Sequence, residues 1–114
     1  MIRTFRYGAA KLSLLAALVC PQVLVADGLT GNQFLTWYRG DQAIYLLTQL
    51  VMAGSIAARV KPPLSDCIAD NFFAETGGIS EAGYDRVLDN VREFTDFHPS
   101  SVLVVTIEAA CGSF

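Results

Sequence analysis

Residues 41–60 read DQAIYLLTQLVMAGSIAARV, and the environment of this apolar stretch decides the fold. Only its ends are charged, Asp41 at one and Arg59 at the other. It reaches the lower edge of the length needed to cross a membrane, roughly 17–25 apolar residues. Its patterning argues for a protein interior instead. Asp41, Tyr45, Thr48, Met52, Ser55 and Arg59 recur at steps of four and three, which places them on one side of a helix. Ile44, Leu47, Val51, Gly54 and Ala58 fall on the other side. One polar stripe on a mostly apolar cylinder predicts a central helix packed by neighbours. Ala53, Gly54, Ala57 and Ala58 leave room for another helix to approach closely.

The flanking segments supply the neighbours. In DGLTGNQFLTWYRG, Thr30 is a capping residue and Gly40 a stop, which predicts a short first helix carrying Phe34, Leu35, Trp37 and Tyr38. After the central segment, Pro62 and Pro63 in KPPLSDC predict a break with extended backbone. CIADNFFAETGG fits a short helix or a loop, with Phe72 and Phe73 helping to close the core and Gly77 and Gly78 ending it. The next helix has an N-cap at Ser80, an apolar stripe of Tyr84, Val87, Leu88, Val91 and Phe94, and an end near His98, ahead of Pro99. SSVLVVTIEAAC has strand propensity, but no other stretch offers it a partner strand. A last helix capped by Ser100 or Ser101 is therefore expected. The fold class is all-α: a small bundle of four to five short helices.

The two ends indicate what clamps so small a bundle. MIRTFRYGAAKLSLLAALVCPQVLVADG opens with Arg3, Arg6 and Lys11, continues through an apolar run, and reaches Ala26 as the small residue before a cut. That is the layout of a secretory signal peptide over residues 1–26, with residues 27–114 as one domain in the periplasm. A short membrane anchor is one alternative. A lipoprotein at Cys20 is another, disfavoured by the bulky Val19 beside it. Loss of the leader removes Cys20 and leaves Cys67 and Cys111, an even pair in an oxidising compartment, where a disulfide is the default. The loop it would close, roughly 45 residues, is worth about 4 kcal/mol by chain entropy. Two cysteines and His98 have neither the number nor the spacing of a zinc site, so no metal and no cofactor are expected.

Charge points to a protein partner. Removing three of the eight basic residues with the leader takes the net charge from −3 to about −6, which disfavours nucleic acid. Glu81, Asp85, Asp89 and Glu93 follow at intervals of four, with Asp96 three further on. On one helix they would span an arc of about 120°. Such like-charge spacing costs about a few tenths of a kcal/mol per pair, partly relieved by Arg92. A solvated face is the plain reading; an acidic contact surface for a basic partner is the sharper one. A Cys–His nucleophile would need a free thiol, and no strained elbow presents a serine to His98. His98 is expected at a helix C-terminus, where positive character suits the dipole. No enzyme is expected.

DCIADNF, a polar turn, a helix ending in FTDFHP and a terminal helix closing on Cys111 together resemble the Rap/Tai immunity proteins of type VI secretion. GNQFLTWYRG and YLLTQLVMAGSIAA are similar to that family's first two helices. The chain departs from the family pattern at Trp37, Tyr38, Ile44 and Tyr45, near positions where members often carry further cysteines. The resemblance implies a small helical periplasmic protein that stoichiometrically inhibits a peptidoglycan amidase effector, often as a homodimer, with no membrane association after signal cleavage. A periplasmic acid-stress chaperone, or a structural envelope protein, is the alternative for a small exported chain with this composition.

Overall fold

The computed structural model describes residues 28–114; the expected signal peptide, its cleavage after Ala26 and Cys20 lie outside the described residues. Within them the chain forms five helices and one disulfide. They are α1 (Gly31–Phe34), α2 (Arg39–Val60), α3 (Pro62–Phe72), α4 (Glu81–Glu93) and α5 (Pro99–Cys111). The all-α bundle expected from the sequence is thus present.

Thr30 caps α1 in a reciprocal box: its hydroxyl accepts from Gln33 N while its own N–H donates to Gln33 Oε1. The first helix is a single turn and does not reach Gly40. The Thr36 hydroxyl donates to Gln33 O at 2.6 Å and Trp37 N to Phe34 O at 3.1 Å, which closes the turn early. Gly40 falls in the first turn of α2.

Lys61 alone breaks the chain between α2 and α3, and the prolines do not hold an extended segment. Pro62 and Pro63 occupy the first turn of α3, where a missing N–H costs nothing and a fixed φ is already helical. The segment left open between Cys67 and Gly78 resolves into helix to Phe72, then a tight turn. Ala74 N bonds Gly78 O at 2.7 Å and Phe73 pairs with Ile79 in one antiparallel bridge.

Ser80 caps α4 by accepting from Gly83 N at 3.0 Å. Gly83 is where α4 meets the end of α3: a methyl added there would sit 2.9 Å from Phe72 Cα. α4 stops at Glu93 rather than near His98. The chain has to turn there, because Thr95 O and Phe97 O accept from Asn32 N and Gly31 N of α1, at 3.0 and 2.9 Å.

His98 begins a helix rather than ending one. It is the N-cap of α5, its Nδ1 accepting from Ser100 N at 3.1 Å, with Pro99 as the first helical residue. Neither serine has the capping role expected of it. A ring nitrogen that accepts a backbone N–H at the positive end of a dipole replaces the cationic C-terminal role.

The core is formed by Phe34, Leu46, Leu50, Leu64, Ile68, Phe72, Val87, Leu88, Val91 and Ile107, all at most 2 % exposed. The largest correction concerns α2. Its buried face is Gln42, Leu46, Leu50 and Ala57, and its neighbours cover only that side. Ile44 and Val51, expected to meet other helices, are 66 % and 51 % exposed. Four short helices on one side of a rod about 33 Å long do not encircle it. By length and composition alone α2 could cross a membrane. Its inner face packs on α3 and α5, and 17 % of its most apolar stretch is buried.

The two thiols meet. Cys67 in the second turn of α3 and Cys111 at the end of α5 form the disulfide, with Cα atoms 5.7 Å apart. Asn71 Nδ2 donates to Cys67 O at 2.8 Å and approaches Cys67 Sγ at 3.3 Å.

Candidate interaction surfaces

The acidic row lies on the side of α4 turned away from the core. Glu81, Asp85, Asp89 and Glu93 are on the helix and exposed. Asp96 is exposed too, but sits in the connection to α5, because α4 ends at Glu93. The helical arc therefore holds four of the expected five carboxylates. Glu81 pairs with Arg39 at 2.7 Å, whose guanidinium also lies 4.1 Å from the centre of the Tyr84 ring. Asp89 pairs with Arg92 at 3.0 Å, the partial relief expected of that arginine. Asp85, Glu93 and Asp96 have no ion pair among the described residues. Exposed pairs of this kind are worth about 0–1 kcal/mol, so the row is not a stabilising device.

The groups weighed for catalysis are occupied elsewhere. His98 Nδ1 caps α5, and the Ser100 hydroxyl lies 2.8 Å from Tyr45 Oη and 3.3 Å from Gln49 Oε1. Both described cysteines are in the disulfide. Among the described residues no three His, Cys, Asp or Glu side chains gather as a metal site would require.

A second surface was not evident in the sequence. Between the end of α4 and the outer side of α5 lies a groove of about 410 Å³ lined by Asn90, Phe94, Phe97, Val102, Val105 and Ala109. Phe94 extends the core stripe by periodicity, but it lies one residue beyond the helix end and is 42 % exposed. Phe97 is 59 % exposed, and the two rings stand edge to face with centres 6.1 Å apart. The floor is fixed by Asn90 Nδ2, which donates to Thr106 Oγ1 at 2.8 Å, while Thr106 Oγ1 donates to Val102 O at 2.8 Å.

A third surface is the outer side of α2. Ile44, Val51, Met52 and Ile56 are each more than half exposed there. The Thr48 and Ser55 hydroxyls between them fold back onto Ile44 O and Val51 O, at 2.9 and 2.8 Å. Their polarity is thereby spent on their own helix.

These features define a class: a small all-α protein, closed by one disulfide, that presents an acidic helix face beside an apolar groove and a bare apolar helix. No family model, curated protein or solved structure matches the chain.

Proposed function

We propose that the protein is an exported periplasmic binder of the immunity type, which blocks a peptidoglycan amidase effector of type VI secretion by occupying its cleft. The observation that carries this reading is the exposed acidic row, in which Asp85, Glu93 and the neighbouring Asp96 have no ion pair among the described residues, on a frame closed by a disulfide. Such a bond persists in an oxidising compartment. Unpaired carboxylates on a preformed helix raise the encounter rate with a basic partner while contributing little to stability. The resemblance of the FTDFHP and terminal-cysteine segments to Rap/Tai proteins supplies the amidase.

Periplasmic co-expression with a panel of amidase toxins should restore growth against at least one of them. Against that toxin, Asp85→Asn/Asp89→Asn should associate roughly three- to tenfold more slowly at low salt, with dissociation unchanged. Failure to protect against every toxin, with the protein exported and oxidised, would remove the reading.

The same proposal includes a homodimer through the outer side of α2. Asp41 and Arg59 lie on one line of that helix, about five turns apart at ~3.6 residues each, and neither has an ion pair among the described residues. Antiparallel pairing would set Asp41 of one copy beside Arg59 of the other at both ends, with the uncharged stretch between them buried. Asp41→Arg and Arg59→Asp should each weaken self-association about tenfold or more in sedimentation, and mixing the two variants should restore it. A monomeric parent protein at high concentration would exclude this arrangement.

A further inference from the structure

Every aromatic residue lining the α4–α5 groove follows a carboxylate in the chain. Glu93 precedes Phe94 and Asp96 precedes Phe97; across the groove, Glu108 precedes Ala109. All three acids are exposed and none has an ion pair among the described residues. The lining itself is apolar apart from Asn90 and Ser101, and one Asn90 amide N–H is spent on Thr106. Two polar side chains are few for a small polar ligand, which usually needs several placed groups. The trench is also built before any partner arrives, because the 94–98 connection is held by the Gly31 and Asn32 amides. That approach is close enough that a methyl on Gly31 would meet Thr95 Cα at 3.0 Å. An apolar floor with an acidic rim, already ordered, is what a bulky apolar anchor between cations would fit.

We propose that the groove lined by Phe94, Phe97 and Val105 seats an apolar side chain carried by a basic segment of the protein partner; this rests on the binding-protein reading above. The groove also has a direction. Its Ala109 end adjoins a shallow hollow that includes Arg86, whose guanidinium donates to Asn71 Oδ1 at 3.4 Å and lies 5.7 Å from the Phe72 ring centre. The Ala109 end thus carries both a cation, Arg86, and a carboxylate, Glu108, so the partner's cations belong first at the Glu93–Asp96 end.

The test uses the oxidised protein and three labelled helical peptides, followed by fluorescence anisotropy. One carries a Leu/Phe stripe flanked by lysines, the second replaces the lysines with glutamates, and the third replaces the stripe with alanines. The lysine peptide should bind at least about tenfold more tightly than either control. Val105→Asp and Phe97→Ala, both at exposed positions, should each reduce its binding about tenfold without changing helicity or the melting midpoint. Glu93→Lys/Asp96→Lys should do the same and flatten the salt dependence, while Asp85→Asn/Asp89→Asn should leave binding within about twofold.

Equal binding of the three peptides overturns the proposal, as does undiminished binding to Val105→Asp. So does loss of self-association in Val105→Asp, which would make a second copy the occupant. Groove variants that still neutralise an amidase at full strength would overturn the groove and leave the inhibitor reading standing. Intact peptide selectivity with no amidase neutralised would do the reverse.

Discussion

Breaking the Cys67–Cys111 bond, by reduction or by Cys67→Ser/Cys111→Ser, should lower stability by about 3–4 kcal/mol. The native total for a domain this small is on the order of 5–10 kcal/mol. The melting midpoint should therefore fall by roughly 15–25 °C. The size of the effect follows from what the bond holds. α5 contributes Val102, Leu103, Thr106 and Ile107 to the core, but Glu108, Ala109 and Ala110 in its last turn are exposed. Without the bond, that turn is kept in place by Cys111 packed against the cluster, the Lys61 ammonium on Ser113 O, and the long 3.8 Å approaches of Cys67 Sγ to Ala110 O and of Asn71 Nδ2 to Cys111 Sγ. The loss should start at the end of α5 and reach α3, where Asn71 Nδ2 lies 3.8 Å from Cys111 Sγ. Calorimetry of the oxidised, reduced and double-serine forms, with thiol content measured on each sample, decides the matter. A midpoint within about 5 °C of the oxidised form would mean that packing alone closes the bundle.

The disulfide and the Ser80 cap were legible in the sequence because each depends on little beyond its own residues: cysteine parity in one case, a serine three positions before the N–H it receives in the other. Proline was harder to read. It disfavours helix before it and favours helix after it, so Pro62, Pro63 and Pro99 were equally good as stops and as starts. In each case the start is what the fold uses, and His98 consequently changes ends. Periodicity shows which residues share a face, but not which face a neighbour covers. On α2 the covered line runs through Gln42, Leu46, Leu50 and Ala57, and the glutamine hides it from any apolar template. The acidic row was legible for the opposite reason: spacing by four on a well-capped helix needs no tertiary information, and only Asp96, past the helix end, was misplaced. The groove could not be read locally. Its two walls come from separate helices, and Phe94 and Phe97 look like core residues until the turn pinned by α1 brings them out.

That same buried glutamine gives the second large expected effect: Gln42→Leu should cost about 1–3 kcal/mol, although leucine is the more apolar residue of similar size. Gln42 is 5 % exposed and bonds two buried residues. Its Nε2 donates to Phe34 O, at the end of α1, at 2.9 Å, and its Oε1 accepts from the hydroxyl of Tyr84, itself 5 % exposed. Leucine would leave the hydroxyl without a partner, at about 1–3 kcal/mol, while Phe34 O keeps its bond from Trp37 N at 3.1 Å. Tyr84→Phe alone removes one bond and should cost about 1 kcal/mol. The double variant Gln42→Leu/Tyr84→Phe removes the stranded hydroxyl as well, so it should be more stable than Gln42→Leu by itself, with a coupling of about 1 kcal/mol in urea unfolding. Strictly additive losses would show that the two side chains do not act as a pair. The consequence extends to binding, because Phe34 belongs to the turn whose Gly31 and Asn32 amides hold the 94–98 connection. Loosening α1 from α2 should therefore weaken the lysine-flanked peptide at the groove, while the charge-driven encounter along Asp85 and Asp89 stays as it was.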